Sequence, residues 1–241
     1  MAGQTITIGG HRLNDLFWVS DFQAGVPEFA PYTVELISGG VASNSMRRGT
    51  TEVTIGLVVL PGHDARQAIS TLLSWLDVDG PLWLSSSDFG GHAMRVVAEG
   101  SPVIIEDEYG DVLTLELLQV DPYLYGEQRT LTMAGTTTVT VGGDRPTLPV
   151  VTCAAAKRRA TDDLWGLSLD GGETEMYVKV GTPIATGVSI DCATKSVTVD
   201  NAQSMITLDS DWLELTPGTH TIAFGAGSGT TTITWREMWH R

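Results

Sequence analysis

The stretch GVSIDCATKSVTVDNAQSMITLDSDWLELTPGTHTIAF at residues 187–224, followed by TTTITWREMW at 230–239, decides the fold of the second half of this 241-residue chain. Short runs rich in β-branched and aromatic residues, at 188–191, 196–199, 205–208, 220–224 and 230–235, are separated by turn signals every several residues. A further run of the same kind lies upstream at 176–180. Short strands at that spacing predict a β-sandwich. Pro217-Gly218 and the glycines at 225, 227 and 229 supply tight turns, since glycine reaches backbone angles closed to other residues. The stretch GAGSG (225–229) reads as a hairpin turn. It lies between two predicted strands and opens no helix, so it lacks the setting of a dinucleotide loop or a nucleophile elbow.

Working back toward the N-terminus, residues 130–149 are rich in Thr, Gly and Pro, with one short run TTTVTV at 136–141. This composition predicts a crossing between domains. Further back, strands are expected at 5–8, 17–22, 32–37 and 52–60. The segment GGVASNSMRRGT (39–50) between the last two reads as a polar loop, and it carries Arg47 and Arg48. One helix stands out. Asp64 and Gln67 form a capping-box pair, and Ala65, Ala68, Ile69, Leu72, Leu73 and Leu76 recur at helical spacing. Asp79-Gly80-Pro81 ends it. Strands follow at 82–84, 92–98, 103–105 and 112–120, and the acidic run at 106–111 reads as an exposed hairpin tip. DPYLYG (121–126) closes the first unit. The fold class is therefore mainly β, with one domain at 1–130, a linker at 131–146 and a second domain at 147–241.

An apolar fraction of 42% and a charged fraction of 18% belong to a folded chain rather than a disordered one. No run reaches the roughly 18 apolar residues of a membrane-spanning helix, so no membrane insertion is expected. The opening MAGQTITIGG has no basic segment followed by an apolar one, which points to synthesis in the cytosol. The net charge of −15 is unevenly placed. Residues 1–128 hold 5 basic and 17 acidic side chains, a net of −12, whereas residues 129–241 hold 9 and 12, a net of −3. Such acidity disfavours tight binding of nucleic acid. Cys153 and Cys192 read as small buried thiols, a disulfide between them being the alternative.

Catalytic chemistry finds no foothold in the sequence. The histidines at 11, 63, 92, 220 and 240 are scattered, and the cysteines are not spaced for zinc. No phosphate-cradling loop occurs, so no catalytic, cofactor-binding or metal-binding residues are assigned. Asp77 and Asp79 lack the rest of an oxygen-ligand loop, and the carboxylates at 106–111 have no second cluster to complete a metal site. Asp162 and Asp163, if extended, would point to opposite faces of a strand. Asp209 and Asp211 could share a face beside Trp212, an arrangement that would suit sugar contact. The leading reading is solvated turn residues next to a core tryptophan.

The order and spacing of several elements carry a resemblance. They are Ile190-Asp191, Lys195 with the strand to Val199, Asp211-Trp212, Leu215 with Pro217-Gly218, and Trp235-Arg236, joined by RLNDLF at 12–17, the helix, and DPYLYG at 121–126. Together they resemble the distal tail proteins of long-tailed, non-contractile (siphovirus-type) phages. The resemblance implies an N-terminal domain related to the tail-tube subunit, a β-sandwich or split barrel with a flanking helix. It implies a galectin-like C-terminal sandwich and a six-fold ring at the virion tail tip. The partners implied are further copies of the chain, the tail tube protein and the tail-tip hub, with DNA passing through the ring without specific binding. The segments around 132–150 and 157–175 are too short for an inserted carbohydrate module. First-half carboxylates would line the channel. Arg47 and Arg48 would pair with carboxylates of a neighbouring copy, the alternative being an exposed loop. The alternative function is a carbohydrate-binding adhesion module using the second sandwich.

Overall fold

Val53, Ile55 and Leu57 are fully buried while the residues between them are not, the alternation of a sheet with one face against a core. A computed structural model describes residues 4–25, 29–35, 41–48, 51–100, 102–107, 110–181 and 186–240. Within them the chain is mainly β, with antiparallel sheets and one α-helix. It divides into two units, Met1–Tyr125 with His240–Arg241, and Gly126–Trp239.

The first unit runs β1 (Ile6–Ile8), β2 (His11–Arg12), β3 (Phe17–Ala24), β4 (Phe29–Glu35), β5 (Val41–Arg48), β6 (Thr51–Val59), α1 (Ala65–Leu76), β7 (Leu82–Ser86), β8 (Ala93–Ala98), β9 (Val103–Asp107) and β10 (Gly110–Gln119). Its sheet has the order β3–β6–β10–β8–β7–β1–β2, and β9 pairs with the start of β10 while β8 pairs with its end. Helix α1 begins where expected. The Asp64 carboxylate accepts a hydrogen bond of 2.9 Å from the backbone N–H of Gln67, satisfying one of the free amides of the first turn. Ala68 and Leu72 join Ile6, Phe17, Ile55, Leu84, Met94 and Leu115 in one core. His11 stacks flat on Trp75, with ring centroids 4.6 Å apart. The acidic run does connect a hairpin, since Asp107 pairs with Gly110, and residues 108–109 lie outside the described residues.

The second unit is a two-sheet sandwich. It takes up β11 (Tyr123–Met133) from Gly126 onward, then β12 (Thr137–Val141), β13 (Val150–Ala156), β14 (Leu164–Leu169), β15 (Thr174–Lys179), β16 (Thr186–Asp191), β17 (Ser196–Val199), β18 (Ala202–Ser204), β19 (Gly218–Ala226) and β20 (Thr231–His240). One sheet has the order β18–β17–β16–β13–β20–β11 and the other β12–β19–β14–β15. Val151, Ile190, Val197 and Ile233 from the first meet Val141, Trp165, Leu167, Val178 and Ile222 from the second, and all are buried. Cys153 and Cys192 are free thiols in this core.

Four expectations need correcting. Residues 131–146 do not form a linker: they complete β11 and supply β12, and Met133 and Val141 are buried in the second core. Polar composition concealed this because β12 alternates, with Thr outward. The segment expected as a loop at 39–50 contains β5, paired antiparallel with β4 in a two-stranded ribbon. Residues 39–40 and 49–50 are outside the described residues. The strand expected at 205–208 is reduced to a single bridge between Ile206 and Val178, with Met205 and Leu208 exposed, and the strand lies just before it as β18.

The fourth correction concerns GAGSG. It is no hairpin, because β19 and β20 belong to different sheets. The segment crosses between them, and Ser228 and Lys157 exchange backbone hydrogen bonds of 2.8 Å on the way. Close approach explains the glycines. A Cβ on Gly227 would lie 2.2 Å from the Lys157 carbonyl oxygen, and one on Gly229 would lie 2.6 Å from the Cys153 sulfur.

Candidate functional site

Asp209 and Asp211 are exposed on an irregular segment around a turn closed by a 3.1 Å bond from the Ser210 N–H to the Thr207 carbonyl. The backbone N–H of Asp211 donates to the Glu175 carbonyl at 2.9 Å. Trp212 is half-buried and packs against the second core. Arg47 and Arg48 lie at the end of β5, in register with Ala30 and Phe29 of β4, and their side chains lie outside the described residues. The five positions therefore fall in different units. Asp162 and Asp163 sit in a turn rather than a strand. Asp162 accepts 3.0 Å hydrogen bonds from Arg159 Nε, which hold its carboxyl below the usual range, and Asp163 pairs with Arg158.

The most organised polar group is one that the sequence did not mark. His220, buried on β19, places Nδ1 2.6 Å from Asp170 Oδ2 and Nε2 2.7 Å from the Thr216 carbonyl oxygen. Both ring nitrogens face acceptors, an arrangement that favours the doubly protonated ring. Burial by itself pulls the His220 pKa down, but the hydrogen bonds to Asp170 and Thr216 outweigh it and raise the value. Asp170 is lowered, chiefly by His220 and then by the Thr221 N–H, which donates to its other oxygen at 2.7 Å. The Thr216 hydroxyl lies 3.2 Å from Nε2, which superficially gives a Thr–His–Asp line. A general base needs Nε2 as an acceptor, whereas here a carbonyl oxygen faces it at 2.7 Å, which favours a proton on that nitrogen. The group is a structural clasp tying β19 to the turn after β14.

A second polar cluster explains part of DPYLYG. Arg95 Nη1 lies 3.3 Å from Asp121, and Trp83 meets Tyr125 edge-on at 5.2 Å between centroids. Burial pushes the Asp121 carboxyl up, and burial with the Asp121 charge pushes Tyr125 up. In the second unit, Gly126 leaves room for Trp239, whose ring would lie 2.9 Å from an added Cβ, and its carbonyl accepts from Arg236 at 2.8 Å. Burial pushes the Cys192 thiol to about 12, so it is inert at neutral pH. An open cavity of about 420 Å³ on the second unit is lined by Thr152, Ser189, Thr198, Asp200, Asn201 and Thr232 among others. No three His, Cys, Asp or Glu side chains gather as metal ligands among the described residues.

Among the described residues, these polar groups are dispersed over the two β-sheet units. Comparison with known proteins gives a family match over part of the chain and likenesses of fold over nearly all of it. Residues 142–239 match the family of the siphovirus-type tail component, C-terminal domain. The solved structure of the SPP1 Dit protein, described as a paradigm of the hub adsorption apparatus in phages infecting Gram-positive bacteria, is similar along its whole length. The TM-score is 0.66 at 19% identity, covering 98% of each chain. A chain of the phage P2 baseplate in its activated conformation with Ca gives 0.58 at 7% identity, covering 97% of this chain and 98% of that one. The corresponding baseplate with Sr gives 0.56 at 7%, covering 96% and 97%. No curated protein sequence matches. Residues 142–239 thus resemble the siphovirus-type tail component domain in sequence, and the chain resembles the SPP1 Dit protein in fold along its length.

Proposed function

We propose that this protein is a structural, non-enzymatic component of a phage tail tip. It forms a ring that joins the end of the tail tube to the tip hub and host-recognition apparatus, with a central channel for DNA. The observation that carries the reading is the likeness of fold to SPP1 Dit over both units, 98% of each chain, alongside the tail-component domain at 142–239. The second sandwich takes the galectin-like role in this scheme, and the first unit builds the ring.

Physical chemistry supports the assignment of the first unit. Its excess of acidic side chains, 17 against 5 within residues 1–128, repels a phosphate backbone that must pass without being held. Screening over about 8 Å at physiological salt confines that repulsion to the channel wall. The β4–β5 ribbon pairs with no other strand among the described residues, which leaves it available to a neighbouring copy. Arg47 and Arg48 at its end then meet a neighbour's carboxylates, supplying oppositely charged partners in an acidic ring.

Mass measurement and negative-stain microscopy of the purified chain, alone and mixed with its tail tube protein, test the proposal. A closed ring is the expected result. A chain that stays monomeric in both conditions overturns it. Replacing Arg47 and Arg48 by Glu should weaken ring closure at least tenfold; an unchanged ring would remove the arginine contact while leaving the ring itself in place.

A further inference from the structure

Among the described residues, Trp18 is the most exposed aromatic of the first unit, with 67% of its surface accessible. It alternates along β3 with buried Phe17 and Val19, so it points away from the core into which α1 inserts Ala68 and Leu72. Its register partner on β6 is Val58, whose partner on β10 is Val112. The three residues make an uncharged row across one end of the sheet, in the acidic half of the chain. A large exposed aromatic beside other apolar groups marks a contact surface.

A matching recess lies at the other end of the same unit. Leu73, Leu76, Ala98 and Pro102 line a notch of about 390 Å³ beneath the last turn of α1, with Ser74 and Asp77 among its lining residues. Leu73 is 44% exposed, a considerable apolar surface for a helix face. Ser74 donates its hydroxyl proton to the Thr71 carbonyl at 2.7 Å, which leaves oxygen lone pairs to accept another bond. The notch therefore offers an apolar floor and acceptors at its rim. An indole needs both, an apolar bed for the ring and a partner for its N–H.

The two features cannot meet within one molecule. Trp18 is on β3 and Ala98 on β8, with β6 and β10 between them, a separation on the order of 14 Å across three strand spacings. They also belong to opposite faces of the sheet. We infer that Trp18 of one copy seats in the Leu73–Leu76–Pro102 notch of the next, a head-to-tail contact that closes the ring. A knob and a hole on different surfaces of the same chain generate rings or filaments rather than two-fold dimers. The occupant is a second copy because the chain itself carries the complementary group, and because the uncharged Trp18 row lets two acidic units approach without opposing carboxylates. One tryptophan buries about 150–250 Å², well below the roughly 1,600 Å² of a standard specific interface. Trp18 is thus a hot spot inside a larger contact.

This inference rests on the ring reading, and its test separates the two. Full-length Trp18→Cys, Ser74→Cys and the double variant are treated with a short bis-maleimide, the buried native thiols giving the background in the wild type. The double variant should yield a ladder of covalent multimers up to the ring size, and neither single variant should extend beyond background. Trp18→Ser should weaken ring closure at least tenfold, with Leu208→Ser in the second unit as an unaffected control. Closed rings with no ladder overturn the contact and leave the ring proposal standing. Absence of both rings and ladder overturns both.

Discussion

His220 and Asp170 face each other across 2.6 Å and each favours the other's charged form, so the consequence for stability has a definite sign. The folded pKa of His220 is raised, so its contribution is fully present below the ordinary histidine value of 6.5 and is lost as pH climbs through the raised value. That of Asp170 is lowered, so its contribution is present above the ordinary 3.8 and is lost as pH falls through the depressed value. The two statements describe one interaction seen from its two ends, and they place its maximum between those limits. Asp170→Asn should therefore lower the melting temperature most near pH 5, with the difference shrinking above the raised histidine value and at strongly acidic pH. Calorimetry from pH 3 to 9 checks this; a deficit constant across the range would mean that charge plays no part. Nothing local in the sequence announced the pair, because its members are separated by 50 positions and are joined only by the sheet.

At the scale of elements, what could be read from the sequence depended on whether the deciding interactions were local. Helix α1 was legible because its cap, Asp64 to Gln67, and its apolar spacing lie within a dozen residues. The GAGSG segment was not, since a glycine-rich turn has the same composition whether the chain returns to its own sheet or crosses to the opposite one. Residues 131–146 and 41–48 were misjudged for a related reason: polar strands gain their pairing from distant partners. Of the candidate site residues, Trp212 showed its core role, whereas the side chains that organise the second unit, His220 and Asp170, left no pattern to find. The crossing makes a strict demand. Gly227 has φ +71° and a backbone oxygen 2.2 Å from where a Cβ would stand, whereas Gly171, at φ +76°, faces open space. Gly227→Ala should cost roughly 2–4 kcal/mol, from backbone strain plus steric conflict. Gly171→Ala should cost only about 1 kcal/mol, from strain alone. Equal losses in urea unfolding would show that the close approach at the crossing is not a determinant of stability.

For the whole molecule, the two cores have separate membership. Leu72 belongs to one and Leu167 to the other, and each is fully buried. Truncating either to Ala removes an isopropyl group from a packed interior and should cost about 2–5 kcal/mol. A chain with two cores unfolds as two cooperative steps when each core is sufficient for its own unit. Denaturant unfolding followed by hydrogen exchange should then show Leu72→Ala shifting only the transition of residues 51–119, and Leu167→Ala only that of residues 137–239. If each substitution moves both transitions together, the units fold as one cooperative body. The distinction bears on assembly. In a ring, first-unit contacts between copies would add stability only to the first transition, by mass action, so that transition alone would rise with protein concentration. A concentration-dependent first step beside a concentration-independent second would place the ring-forming surface, from the unfolding data alone, in the unit that carries Trp18 and the β4–β5 ribbon.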